Sequence, residues 1–116
     1  MESVDSRNGY RSKLQIIRDI LLTLVNDNSK KTHIMYRANL SYKLLVRYLA
    51  TATNAELIQR DKESSYYSIT QNGRHFLELF DDYENAQKKI RLISSELKNG
   101  EEKLEEMIDV MPRRES

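Results

Sequence analysis

Lys43, Arg47, Thr51 and Asn54 lie four, four and three residues apart in the stretch 41–54. That spacing places them on one face of a helix. The face is polar, partly basic and rich in hydrogen-bond donors. Lys43 falls in the first turn, where the helix dipole disfavours a cation. A phosphate or a base edge at that end of the helix would account for it. The same spacing also describes a solvated face on a core helix, so the rest of the chain has to decide between the two.

Other chemistry finds little material. The two histidines, His33 and His75, fall on different expected helices, and neither has a Ser or Cys nearby in a nucleophile motif. The chain has no cysteine, which removes a thiolate nucleophile, disulfides and a Cys-ligated zinc. His and carboxylate spacing for another metal site is missing. Gly9, Gly73 and Gly100 are the only glycines, so no phosphate-cradling loop is expected. Glu101, Glu102, Glu105 and Glu106 read as the solvated face of a heptad helix. No catalytic residue, metal or cofactor is expected, and an enzyme is not.

The elements that would carry the polar face follow from local patterns. Ser41 is an N-cap, and Leu44, Leu45, Tyr48, Leu49 and Ala52 make the apolar stripe of its helix. Upstream, residues 1–11 form a flexible arm. Ser12 and Gln15 form a capping box for a helix over about Lys13–Asn26. Its stripe is Leu14, Ile17, Leu21 and Leu24, widened by Ile20 and Val25. Thr32 caps a short helix, His33–Ala38, with Ile34 and Ala38 facing the core. Asn39 ends that helix in left-handed backbone, and Leu40 fills the corner before Ser41. Two helices joined so tightly describe a helix-turn-helix. Leu57–Arg60 and Tyr66–Ile69 then read as a β-hairpin around a polar tip, with Tyr67 and Ile69 inward.

Thr70 caps the last helix. Phe76, Tyr83, Ile90, Leu97, Leu104 and Met111 recur at a strict seven, and Leu79, Ala86, Ile93, Gly100 and Met107 follow the first five by three residues. This heptad pattern predicts a coiled coil from Gln71 to Met111. Asn99-Gly100 is a turn signal within it, so the helix either continues through Gly100, which the unbroken register favours, or turns back with 101–111 as a short second helix. Pro112 ends it, leaving 112–116 as a tail. The exposed seam needs a partner, and a second copy is expected through Tyr83, Ile90, Ile93, Leu97, Leu104, Met107 and Met111. A parallel, in-register pair would set Glu96 against Glu101. Antiparallel pairings shifted by a heptad bring Glu96 near Lys89 or Lys103, which favours antiparallel by tenths of a kcal/mol.

The domain plan is therefore an arm (1–11), a winged helix (12–70), a coiled-coil helix (71–111) and a tail (112–116). The fold class is mainly α with a small β-hairpin: a winged helix-turn-helix followed by a long C-terminal coiled-coil helix. The net charge is +1, but residues 1–70 carry +4 and residues 71–116 carry −3. A basic first part can meet a polyanion while the acidic part faces solvent or protein. No signal segment and no membrane span are read, and a cytoplasmic, nucleoid-associated place is expected.

The run KTHIMYRANLSYKLLVRYL, then ELI, a hairpin and YSITQNGRHFL, resembles the small archaeal winged-helix DNA-binding proteins of the ten-a type. The likeness rests on Ile34-Met35-Tyr36, Ala38 to Tyr42, Arg47-Tyr48, and Tyr67-x-Ile69-Thr70-x-x-Gly73. It implies a dimer joined by an antiparallel coiled coil, with a recognition helix at Ser41–Asn54 and a wing at Arg60–Ser65. On that resemblance, Tyr42, Lys43, Arg47 and Thr51 meet the major groove of double-stranded DNA. Arg47 is the candidate for bidentate contact with guanine. Lys30, Lys31 and Arg37 approach phosphates, and Arg60 and Lys62 do so from the wing. A near-neutral chain whose wing also holds Asp61 and Glu63 fits a site-selective transcription regulator better than a chromatin-architectural DNA coat. The alternative is a protein-interaction adaptor, which would show exposed apolar residues on the third helix.

Overall fold

Cap chemistry sets most of the helix starts. The computed structural model describes residues 11–110. Ser12 accepts from the Gln15 N–H while Gln15 Oε1 accepts from the Ser12 N–H, and α1 runs Lys13–Thr23 behind this box. Ser41 accepts from the Leu44 N–H and starts α3, Tyr42–Asn54. Thr70 accepts from the Gly73 N–H at 3.0 Å and starts α4, Gln71–Ile108.

The second helix is the exception. α2 spans Lys31–Ala38 with Lys30 at the N-cap and no side-chain cap bond, so Thr32 is not its cap. A longer-range contact sets its start. Ser29 exchanges two backbone hydrogen bonds with Tyr67, at 3.1 and 2.7 Å, and is 2% exposed. This pins the chain just before Lys30 and leaves the next residues to enter the helix directly. Asn39 ends α2 at φ 56°, as expected of an Asn in left-handed backbone.

β1, Ile58–Arg60, pairs antiparallel with β2, Tyr67–Ile69, in the register Ile58–Ile69, Gln59–Ser68 and Arg60–Tyr67. Between them the wing tip folds on Asp61. Its carboxylate accepts from the Glu63 N–H and the Ser64 hydroxyl, and its backbone bonds both Tyr66 and Ser65. Asp61 therefore organises the turn.

The core joins all three short helices to the hairpin. Ile20, Leu21, Leu24, Ile34, Leu45 and Ile58 are essentially sealed from solvent. On α1 the buried face is Ile16, Ile17, Ile20, Leu21 and Leu24, whereas Leu14 is 43% exposed. Of the expected stripe, Ile17, Ile20, Leu21 and Leu24 are buried, while Ile16 takes the place of Leu14, and α1 stops at Thr23, short of Asn26. Arg11 also departs from the arm reading. Its guanidinium pairs with Asp19 at 2.6 Å and donates to the carbonyls of Ala38 and Asn39. A cation there satisfies the free carbonyls at the α2 C-terminus. Residues 1–10 and 111–116, including Met111 and Pro112, lie outside the described residues.

The packed unit continues to Phe80, past the start of α4. Phe76 stacks with Phe80 at 6.3 Å between centroids, and the Arg18 guanidinium lies 5.0 Å over the Phe80 ring. Arg74 donates to the Val25 carbonyl at 3.1 Å. The first heptad position, Phe76, therefore packs against the domain core and not in a seam. The second unit, from Asp81 onward, is helical through Gly100 to Ile108.

α3 closes with Glu56 at φ 61°, the Glu56 N–H on the Thr53 carbonyl and the Leu57 N–H on the Ala52 carbonyl. Glycine occupies such a position without the Cβ penalty. Glu56→Gly is expected to raise unfolding stability by about 0.5–1 kcal/mol, read as a higher urea midpoint at constant slope.

Candidate nucleic-acid interface

Three elements bring their polar residues to one place. The start of α2 supplies Lys30, Lys31 and Thr32, the start of α3 supplies Tyr42, and the wing supplies Arg60, Ser64 and Ser65. Together with Tyr67 these line a surface groove of about 760 Å³. Lys30 Nζ lies 5.5 Å from the Tyr66 ring centroid, and Lys31 Nζ lies 5.6 Å from that of Tyr42. Each ring holds an ammonium by a cation–π contact without neutralising it. Arg60 donates to Ser65 Oγ at 3.1 Å, which fixes the guanidinium along the wing.

A neighbouring groove runs along α3, lined by Lys31, Val46, Ala50, Thr53, Asn54 and Arg60 among others. Arg60 therefore borders both surfaces. Lys62 lines a third depression, with Arg60, Glu56, Gln59, Gln71 and Asn72. Among the described residues, no carboxylate pairs with Lys30, Lys31, Lys43, Arg47, Arg60 or Lys62. Positive charge that the fold does not neutralise is available to an external polyanion.

The exposed face of α3 is Tyr42, Lys43, Val46, Arg47, Ala50, Thr53 and Asn54. Thr51 sits at its flank, half-buried, and its hydroxyl donates to the Arg47 carbonyl at 3.1 Å. Val46, 43% exposed, and Ala50 were missed in the sequence because apolar residues on an amphipathic helix read as core. The available signal was their placement beside Lys43 and Arg47, opposite the buried Leu45, Leu49 and Ala52. Arg47 projects from this face with its guanidinium 5.7 Å from the Tyr48 ring. Arg37 lines neither groove. It borders a depression with Arg11, Asp19 and Leu22. His33 is exposed, and His75 faces Glu78 at 3.6 Å on the surface of α4.

Such a surface can grip phosphates from two sides and present a side-chain row to a groove between them. Tyr42, Val46 and Ala50 are exposed apolar residues on the third helix, the feature expected of a protein adaptor. Interspersed with Lys43, Arg47 and Asn54, the small Val46 and Ala50 also match what base edges offer in a major groove: acceptors, donors and thymine methyls.

A family model described as winged helix-turn-helix matches residues 10–88. The uncharacterized protein MJ0290 of Methanocaldococcus jannaschii is 36% identical over 72 residues, which cover 62% of this chain. The match covers only 33% of that relative's length. In fold, the chain is similar to Sso10a-2, a DNA-binding protein from Sulfolobus solfataricus, with a TM-score of 0.68 and 18% identity. That match covers 77% of this chain and 95% of the other. It is also similar to MepR, a transcription regulator of the Staphylococcus aureus multidrug efflux pump MepA, with a TM-score of 0.59 and 13% identity. There the coverage is 89% of this chain and 81% of the other. No helix among the described residues is long and apolar enough to cross a membrane.

Proposed function

The chain belongs to the winged helix-turn-helix family, and on that footing we propose that it is a homodimeric, site-selective DNA-binding regulator acting at the chromosome in the cytoplasm. In this reading α3 enters the major groove, where Arg47 and Lys43 meet base edges and Val46 and Ala50 meet thymine methyls. Lys30, Lys31 and Arg60 hold the flanking phosphates, and Lys62 reaches the backbone from the wing. The observation that carries the proposal is the groove where α2, α3 and the wing gather Lys30, Lys31, Tyr42 and Arg60, with no carboxylate among the described residues paired to these cations. The names of Sso10a-2 and MepR agree with this direction.

The dimer reading rests on the second unit. Ile90, Ile93, Leu97, Leu104 and Met107 are all exposed along one helix, in line with the half-exposed Tyr83, and an exposed apolar row of that length calls for a partner. A second copy in antiparallel orientation would carry two recognition helices on one particle.

DNA binding by the full chain across a salt series, against a random duplex and genomic fragments, tests the proposal. Affinity that falls steeply with salt and survives only on particular fragments is expected. No binding to any fragment at low salt would reject it and shift the reading to a protein adaptor. Arg47→Ala is expected to weaken a preferred site by about 1–3 kcal/mol and to relax its sequence preference. An equal loss on every sequence would instead make Arg47 a phosphate contact.

A further inference from the structure

The exposed row on residues 81–110 is not uniform, and its irregularities are complementary to each other. We infer that a second copy of the chain covers it in one antiparallel register, centred between Arg91 and Leu92, with Tyr83 of each copy packed over Gly100 of the other. This rests on the homodimer reading above and adds the register.

When two such helices run antiparallel, each core layer pairs a residue of the row 83, 90, 97 with one of the row 86, 93, 100. Setting Tyr83 opposite Gly100 sets Ala86 opposite Leu97 and Ile90 opposite Ile93. The bulkiest side chain then meets the residue with none, and the smaller of the remaining residues meets a leucine. Facing positions that alternate large and small fill space without voids. A slide of one heptad one way puts Tyr83 against Ile93 and Gly100 against Phe76, a ring already packed on the domain core; a slide the other way puts Tyr83 against Met107 and Gly100 against the smaller Ile90.

The chain's own fold gives no reason for glycine at 100. A Cβ added there meets nothing within 4 Å. Glycine inside a helix is destabilising relative to alanine. A tyrosine ring from a second copy supplies the missing reason.

Charges beside the row point to the same register. Asp82, Lys89, Glu96 and Lys103 recur at seven and alternate in sign. In the proposed register Asp82 faces Lys103 and Lys89 faces Glu96, each twice by symmetry. One heptad of slide in one direction sets Lys89 against its own copy and Asp82 against Glu96. A slide in the other direction sets Glu96 against its own copy and Lys89 against Lys103. Single surface pairs are weak, but a change from attraction to repulsion between neighbouring registers discriminates between them.

The test uses the full chain, which has no native cysteine. A spin label at Lys98→Cys is expected to give an axial separation of about 20 Å, against about 9 or 30 Å for the neighbouring registers, at about 1.5 Å rise per residue. Gly100→Ala is expected to increase helicity yet raise the dimer Kd about tenfold or more, because the added methyl meets the tyrosine ring. Tighter dimerisation by Gly100→Ala overturns the inference. Glu96→Lys should weaken the dimer, and Lys89→Glu combined with it should restore it. A monomeric mass at every concentration overturns the dimer reading itself. A dimer whose labels lie at another separation overturns only the register.

Discussion

Leu97→Asp is expected to leave the protein monomeric while the winged-helix unit stays folded. Leu97 is 72% exposed in the single chain and lies in the unit after Phe80, so the substitution removes nothing from the core around Ile20, Leu45 and Ile58. The cost falls entirely on association. Each copy forfeits about 2 kcal/mol of leucine burial, and each places a carboxylate in an apolar layer without a partner. Two copies together lose at least about 4 kcal/mol, or roughly a thousandfold in the dimer Kd. Light scattering reads the mass, and an unchanged mass would exclude this row as the interface. DNA binding reports the second consequence. A dimer holds two recognition helices at high effective concentration, and losing that linkage costs about 10²–10⁴ in affinity for a two-part site. The monomer should keep the weaker, salt-sensitive binding of a single unit.

Which parts of this molecule could be read from its sequence follows the range of the forces involved. The Ser12–Gln15 box, the Ser41 and Thr70 caps and the left-handed Asn39 are settled within four residues, and each stands as expected. The start of α2 is different, because the bridge between Ser29 and Tyr67 sets it and the two are far apart in the chain. Thr32 has the local chemistry of a cap and is overruled by that bridge. On α1, Leu14 and Ile16 are equally apolar, and only the packing of α2 and α3 decides that Ile16 is buried. Arg11 looked like part of a polar arm because its partners, Asp19 and the end of α2, meet it only in the fold.

The candidate site divides the same way. Lys30, Lys31, Tyr42 and Arg60 could each be named from the sequence by residue type, with the family resemblance behind them. That they line one groove depends on the wing folding back toward α2. Arg37 has the same charge but borders a different depression. Thr51 has a suitable side chain but donates its hydroxyl to its own helix. Residue type identifies what can bind. Position in the fold decides what is available, and it also brings forward Val46 and Ala50.

Gly73→Ala is expected to cost about 3 kcal/mol of unfolding stability, near the upper end for one methyl forced into a packed site. Gly73 is buried in the first turn of α4, where the helix crosses the end of the hairpin. A Cβ there would collide with the Leu57 carbonyl oxygen and lie 2.6 Å from Ile69 Cγ1. The carbonyl cannot swing aside cheaply, because it accepts from the Thr70 N–H at 3.0 Å, while the Thr70 hydroxyl donates to Glu56 at 2.6 Å. Relief would require the start of α4 to lift away, taking with it the Gly73–Thr70 cap bond and loosening the packing of Ile69 and Phe76 on the core. Alanine is the better helix former by about 1 kcal/mol, so helix propensity alone predicts the opposite sign. Urea unfolding of Gly73→Ala therefore separates the two effects: a lower midpoint means close packing of α4 dominates, and a higher one means the turn has room the geometry denies. Gly100→Ala in the monomeric Leu97→Asp background is the matched control, since nothing surrounds that position in the single chain. It should gain helicity under conditions where Gly73→Ala loses the fold.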